Sequence, residues 1–380
     1  MRVITLNVWA LSEPFSRDTG ARMRAIGEAL GPLELDVAAF QELWTQPARA
    51  ELVAAGRRAG LIHVWHPEGT WGGSGLAVLS RLPILDARLH RFRPAGVAER
   101  IHQADYLGGK GFTECVLDTP RGEITLIDTH LQAAYAPRER YHYVPLRTAQ
   151  VVQLADHLRR IERPLILAGD LNLREESAEY SILTGLSGVT DAAAALDRRQ
   201  DTWLPANPYT SEETDPPARI DYLFSRAGRE RVLTPISIER VFDETIQIAN
   251  RTAALSDHAG LIGEFEIAAG REPLAPVNPK ALKMARTLVQ EGRDEVQVRQ
   301  RRQRAAGWFG LALFPASLFA ARWSRRRFLR NCAIAAGGVG AAYGAARLTL
   351  TETLRPAEVE GFDAALRTLD ELGNERAAGT

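Results

Sequence analysis

Six short polar motifs occur in a fixed order within the first 260 residues. They are Leu6-Asn7, Phe40-Gln41-Glu42, Asp128-Thr129-His130-Leu131, Gly169-Asp170-Leu171-Asn172, Arg219-Ile220-Asp221-Tyr222 and Ser256-Asp257-His258. The chemistry they could do together is phosphoester hydrolysis at a hard metal ion. Carboxylates and amides supply oxygen ligands to a divalent cation, and histidines supply donors to a phosphoryl group whose charge grows in the transition state. Glu42, with Asn7 beside it, reads as a metal site, because Mg²⁺ takes few protein oxygens and keeps its waters. Asp170 and Asn172, two residues apart after a fully apolar run, point to one side. Asp170 could position or deprotonate water, and Asn172 could hold a phosphate oxygen without adding negative charge. His130 ends another apolar run and could donate to a phosphoryl oxygen. Asp221 and His258 form a candidate pair in which the carboxylate orients the imidazole and favours its charged form. Asp257 could be a second metal or orienting carboxylate.

Each motif also has a plainer explanation. A lone Glu or Asn after a strand is usually a cap or a solvated turn, Asp170 and Asn172 could make an Asx-turn, and His130 could be a satisfied core histidine. What weighs against these is position, since every motif sits at the end of a segment that reads as a strand. Residues 2–9, 35–40, 61–65, 75–80, 84–91, 112–118, 123–130, 165–169, 220–225, 232–241 and 259–266 carry strand-like patterns. Helical spacing covers 20–31, 47–59, 146–161, 175–184 and 189–196. Polar groups at the ends of several strands of one structure converge on one rim. The pattern predicts an α/β (α+β) four-layer sandwich, two packed mixed sheets flanked by helices, over residues 1–267.

Composition supports a large globular core. The chain has 380 residues, 45% hydrophobic and 25% charged, with a net charge of +0 that gives no global pull toward nucleic acid. Two cysteines, Cys115 and Cys332, do not suggest a disulfide framework. The N-terminus lacks a charged–apolar–small signal pattern, so signal-peptide secretion is not expected.

After residue 267 the character changes. Residues 268–304 read as a Pro-containing linker and a polar helix, 305–346 as an apolar hairpin with Pro315 interrupting its first arm, and 347–380 as a polar tail. The uncharged stretches 305–321 and 331–346 fall short of the roughly 20 residues a spanning helix needs. Arg322 and Arg325–Arg327 separate them. An interfacial or re-entrant hairpin meeting anionic membrane lipids is the expectation, with the catalytic domain on the cytoplasmic side. The alternative is a buried helical hairpin. Trp71, Tyr135, Tyr141 and Tyr143 lie near the motifs, where they could dip into a bilayer, stack on a headgroup, or simply cover the core.

With these residues in place, the chain resembles the endonuclease/exonuclease/phosphatase superfamily, and within it the membrane-associated neutral sphingomyelinases. Asn7, Glu42, His130, Asp170/Asn172, Asp221 and Asp257/His258 match the superfamily motifs in order. Gly73-Ser74-Gly75-Leu76 with Leu79-Ser80-Arg81-Leu82-Pro83-Ile84, and Thr129-His130-Leu131-Gln132-Ala133-Ala134-Tyr135, resemble the sphingomyelinase branch. Asp105-Tyr106-Leu107-Gly108-Gly109-Lys110-Gly111 resembles a loop of that branch in which an Asp and a Lys form a regulatory switch pair, here Asp105 and Lys110. The resemblance implies a requirement for Mg²⁺, with Mn²⁺ as a substitute, and hydrolysis of sphingomyelin or a related phosphosphingolipid to ceramide and a phosphorylated headgroup. Carried over position by position, it implies Glu42 and Asn7 at the metal, Asp170 on the water, Asn172 and His130 on phosphoryl oxygens, and His258 oriented by Asp221 at the transition state. It implies a phosphosphingolipid substrate and no nucleic-acid partner, and it is silent on oligomeric state. The competing reading is a nuclease or inositol-phosphate phosphatase of the same superfamily. A nuclease should carry basic residues near the motifs, whereas the clearest basic run here, residues 298–304, lies in the C-terminal region.

Overall fold

The computed structural model describes residues 1–68, 74–94, 109–134, 143–210, 216–353 and 355–378. Two six-stranded sheets carry the fold. The first has the order β11(Arg231–Val241)–β14(Gly260–Ala269)–β1(Arg2–Asn7)–β2(Val37–Gln41)–β4(Ala77–Ser80)–β3(His63–Trp65). The second runs β5(Ile84–Arg91)–β6(Gly111–Thr119)–β7(Gly122–His130)–β8(Leu165–Asp170)–β10(Asp221–Arg226)–β9(Thr190–Asp191). Both sheets are mixed: β1 and β2 pair in parallel, as do β7 and β8, and the other neighbours are antiparallel.

Strand alternation builds the layers. In β1 and β2, Val3, Val37 and Ala39 face the second sheet and meet Leu126, Ile166 and Leu223 in the central core. Their neighbours Ile4, Leu6, Ala38 and Phe40 face outward onto Met23 and Ile26 of α1 (Thr19–Leu30) and Leu52 of α2 (Gln46–Arg58). The outer face of the second sheet is covered by α3 (Val144–Arg160) and α4 (Ala178–Ser187). The result is helix, sheet, sheet, helix, the four-layer sandwich that the sequence predicts. A short helix α5 (Ala192–Ala195) follows β9, and a small hairpin of β12 (Thr245–Ile248) and β13 (Arg251–Ala254), without a counterpart in the sequence reading, precedes the last motif. Cys115 is buried and Cys332 exposed, both as free thiols.

The C-terminal region is more continuous than its composition suggests. Helix α6 runs unbroken from Pro279 to Trp323, about 67 Å at 1.5 Å per residue. Asn278 caps it, its Oδ1 accepting from the Lys280 and Ala281 amides, and Pro279 occupies the first helical position. Pro315 does not interrupt it. A proline removes one backbone hydrogen bond, but here the helix is held by α7 (Arg327–Thr353), which packs back along it. The two backbones approach so closely that a Cβ on Gly310 would lie 2.6 Å from the Gly340 carbonyl oxygen, and one on Gly344 2.5 Å from that of Gly307. Residues 355–378 form helix α8 (Arg355–Ala378), and its Phe362, Ala365, Leu369 and Leu372 join the core with α3 and the first half of α6.

Candidate active site

The topology brings the motifs to one rim. Parallel pairing sets Asn7 beside Gln41 at the carboxyl ends of β1 and β2, and His130 beside Asp170 at those of β7 and β8. Antiparallel pairing then places Asp221, the first residue of β10, opposite Asp170. His258 enters just before β14, the antiparallel neighbour of β1. Three non-glycine residues just past these strand ends, Trp9, Glu42 and Asn172, have φ near +50°. Such conformations persist only where surrounding structure imposes them, and they cluster at functional sites. Gly169 is required on two counts: its φ is +145°, and a Cβ there would lie 2.0 Å from the Thr129 carbonyl oxygen across the β7–β8 pairing.

Asp170 is the hub. Its Oδ2 accepts from Asn7 Nδ2 at 3.0 Å and lies 3.2 Å from His130 Nε2 and 3.9 Å from His258 Nε2. Its Oδ1 accepts from the Asn172 amide at 2.9 Å. Burial alone would raise its pKa, but the two imidazoles and the Asn7 amide outweigh burial and hold the carboxyl well below the usual carboxylate range. Asp170 is therefore an anion at neutral pH despite being almost wholly buried.

His258 Nδ1 lies 2.9 Å from Asp221 Oδ2, the pair expected from sequence. Burial would lower the His258 pKa, but the Asp221 and Asp170 carboxylates prevail and raise it well above the ordinary imidazole value. Thr202 Oγ1 accepts from the Ile220 and Asp221 amides and so fixes the start of β10. Ser256 Oγ donates to the Asn7 carbonyl and contacts Asp257 Oδ1 at 3.1 Å, tying the last motif to the first.

Glu42 Oε1 lies 3.8 Å from His130 Nε2. Asn7 has a fixed amide orientation, because Nδ2 donates to Asp170 while Oδ1 accepts the Trp9 amide at 3.0 Å and keeps a second lone pair. A carboxylate and an amide oxygen on adjacent parallel strands suit a hard cation that retains most of its waters. Arg22, fully buried in α1, lies within electrostatic reach of Asp257 and Glu42. Its guanidinium is clamped by the Val8, Trp9, Arg17 and Leu255 carbonyls and Ser16 Oγ. Nothing marked Arg22 in the sequence, where it is one arginine on an amphipathic helix.

Other expectations are placed differently. The Asn172 side chain donates to the Leu131 carbonyl at 3.2 Å, so it bridges the loops after β7 and β8. Asp128, from the histidine motif and on the same face of β7 as His130, lies one step below the rim and accepts from Gln41 Nε2 at 2.7 Å; burial pushes its pKa well above the usual value. Asp105, Trp71, Tyr135 and Tyr141 lie outside the described residues. Lys110 is buried with Nζ 2.8 Å from His130 Nε2, which puts a second cation directly into the site. Tyr143 packs against the outer core of the second sheet.

The Endonuclease/Exonuclease/phosphatase family profile matches residues 4–258. The human protein named Sphingomyelin phosphodiesterase 2 is 29% identical over 288 residues, covering 69% of this chain and 63% of its own length. The Schizosaccharomyces pombe protein named Inositol phosphosphingolipids phospholipase C is 30% identical over 200 residues, covering 50% of this chain and 46% of its own. The chain thus spans about half to two thirds of these relatives. Among solved structures, a Staphylococcus aureus beta toxin crystallised with bound magnesium ions superposes with a TM-score of 0.54 at 18% identity, covering 69% of this chain and 98% of that one.

Proposed function

The chain belongs to the Endonuclease/Exonuclease/phosphatase family, and we propose that it is a Mg²⁺-dependent phosphodiesterase of the phospholipase C type. Its substrate would be sphingomyelin or a related phosphosphingolipid, cleaved to ceramide and a phosphorylated headgroup. The observation that carries this is the Asp170 hub, an ionised buried carboxylate between two imidazoles and beside an oxygen-donor pair. The names of the sphingolipid-acting relatives support the substrate class.

Glu42 and Asn7 would hold the ion, with Asp257 as a further carboxylate near it. When bound, Mg²⁺ supplies Lewis-acid polarisation of a phosphoryl oxygen. Asp170, ionised and aimed by Asn7 and by the Asn172 amide, orients the attacking water by accepting a hydrogen bond from it. His258, held protonated by Asp221, presents Nε2 near Asp170 and donates to the phosphoryl group as negative charge accumulates. His130 serves a neighbouring phosphoryl oxygen, and Asn172 another once its bond to the Leu131 carbonyl is exchanged. Lys110, beside His130, adds positive charge to the same side, and its pairing with Asp105 would regulate the site.

Action would be at a membrane. The α6–α7 hairpin leaves Trp308, Phe309, Phe319, Trp323 and Phe328 between 64% and 77% exposed, unlike the packed first half of α6. The apolar arm 305–321 spans about 25 Å, short of a bilayer core of about 30 Å, which favours insertion into one face with Arg325–Arg327 at the headgroups.

The test is headgroup release from detergent-dispersed sphingomyelin, with and without Mg²⁺, beside plasmid DNA. Mg²⁺-dependent ceramide formation with intact DNA supports the proposal. DNA nicking without lipid turnover transfers the chain to the nuclease reading.

A further inference from the structure

On the outer face of the second sheet, far in sequence from the motifs that build the rim, two histidines and a glutamate converge. Register pairs His90 of β5 with Phe112 of β6, and Arg88 with Glu114, so His90 and Glu114 are diagonal neighbours on one face. His157 comes down onto them from α3. Gln153, one helical turn earlier on the same face, fixes that docking by donating to the Arg91 carbonyl and accepting the Arg93 amide. The three side chains are partly exposed, and they line a cleft of about 400 Å³.

The donor atoms lie close enough together to share one metal ion. Glu114 Oε2 lies 2.9 Å from His157 Nε2 and 3.4 Å from His90 Nε2, and one donor atom from each residue falls within 4.8 Å of the others. In a tetrahedral zinc site with ligand bonds of about 2.0–2.1 Å, ligand atoms stand about 3.3 Å apart. His157 Nε2 shares a hydrogen bond with Glu114 Oε2, whereas His90 Nε2, buried and 3.4 Å from the same oxygen, makes none among the described residues.

We propose that His90, Glu114 and His157 form a second metal site, separate from the catalytic one, for a borderline transition ion of the Zn²⁺ type. Two imidazoles and one carboxylate are a donor set for Zn²⁺, whereas an all-oxygen set suits Mg²⁺. Three protein ligands leave the fourth position open to the cleft, whose walls carry the Arg88–Asp86 and Arg163–Glu123 ion pairs. The ion would pin β5, β6 and α3 together. Phe92, just after β5, donates its amide to the Lys110 carbonyl, so this brace stands behind the segment that delivers Lys110 to His130.

The test uses untagged full-length protein, stripped with EDTA and held in excess Mg²⁺ so that the rim is satisfied. Titration with Zn²⁺ by calorimetry should show one tight equivalent. Co²⁺ in its place should give the strong visible absorption of a tetrahedral centre. Glu114→Gln and, separately, His157→Gln should weaken Zn²⁺ binding at least about a hundredfold. Both should keep Mg²⁺-dependent turnover and a native circular dichroism spectrum. Glu42→Gln should leave the Zn²⁺ equivalent untouched. No Zn²⁺ uptake by the wild-type protein in Mg²⁺ would overturn the proposal, and so would uptake that survives both ligand variants or that disappears with Glu42→Gln.

Discussion

Asp221→Asn is the sharpest probe of the rim, because it removes one charge and almost no volume. Asp221 is fully buried, and its Oδ2 meets His258 Nδ1 at 2.9 Å. A hydrogen bond to a charged group contributes about 1.5–3 kcal/mol, against about 0.5–1.5 for a neutral one. The substitution therefore costs about 1–1.5 kcal/mol at this contact alone. Asp221 Oδ1 has no partner among the described residues, so an Asn amide placed there would be a buried donor without an acceptor, at about 1–3 kcal/mol more. Turning the amide over would instead aim its NH₂ at the imidazole and select the wrong tautomer. Together these give a stability loss of about 2–4 kcal/mol. The loss of imidazolium stabilisation should lower kcat at least about tenfold, since 1.36 kcal/mol is a factor of ten. It should reach much further where the imidazole loses its orientation. Headgroup release at saturating Mg²⁺ gives kcat, and thermal unfolding gives the stability term. A folded Asp221→Asn protein with kcat within about twofold of wild type would refute the pairing as a working part of the site.

Three further outcomes follow from the packing. Gly169→Ala should destabilise by at least about 3 kcal/mol, from a φ of +145° and a Cβ 2.0 Å from the Thr129 carbonyl oxygen, read as a drop in Tm; an unchanged Tm would mean that β7 and β8 are not this close. Glu175 is buried enough to raise its pKa, but hydrogen bonds from Arg199 and Arg219 prevail and lower it. Its contribution is thus present above the unfolded carboxyl value of about 4.3 and lost as pH falls below it, so Glu175→Gln should flatten the acid side of the stability–pH curve while leaving the curve's shape at pH 7–9 unchanged. Replacing Trp308, Phe309, Phe319, Trp323 and Phe328 by Ser should abolish sedimentation with anionic vesicles and spare turnover of detergent-dispersed substrate. Unchanged sedimentation would remove the hairpin as the anchor.

Much of this molecule was legible in its residues. The strands show as alternating or continuously apolar runs, and because the motifs end those runs, a two-sheet fold brings them to one rim. Asp221 and His258 meet as their residue types suggested, although only the antiparallel β8–β10 pairing and the placement of β14 beside β1 could join them. Other features were present in the sequence but easily overlooked. Phe362, Ala365, Leu369 and Leu372 recur at helical spacing within a segment polar enough to read as a tail, and they dock α8 on the core. Pro315 carries the local signal of a break, but packing against α7 overrides it. Arg22 and Thr202 carried no signal at all, because what makes them matter is the set of backbone groups that the fold places around them. Lys110 was singled out for a partner in its own loop, and the structure sets it against His130 through the β6–β7 register, in which Gly111 lies opposite that histidine.

The central claim is that the rim is a metal-dependent phosphodiesterase site whose ion is held by Glu42. Its most direct test is the initial rate of phosphocholine release from detergent-dispersed sphingomyelin, measured across Mg²⁺ concentration for the wild-type protein and Glu42→Gln. The wild type should give no release in EDTA and saturable activation by Mg²⁺, and the Glu42→Gln curve should be displaced to at least about tenfold higher Mg²⁺ or flat throughout. Superimposable curves for the two proteins, or release that persists in EDTA, would contradict it.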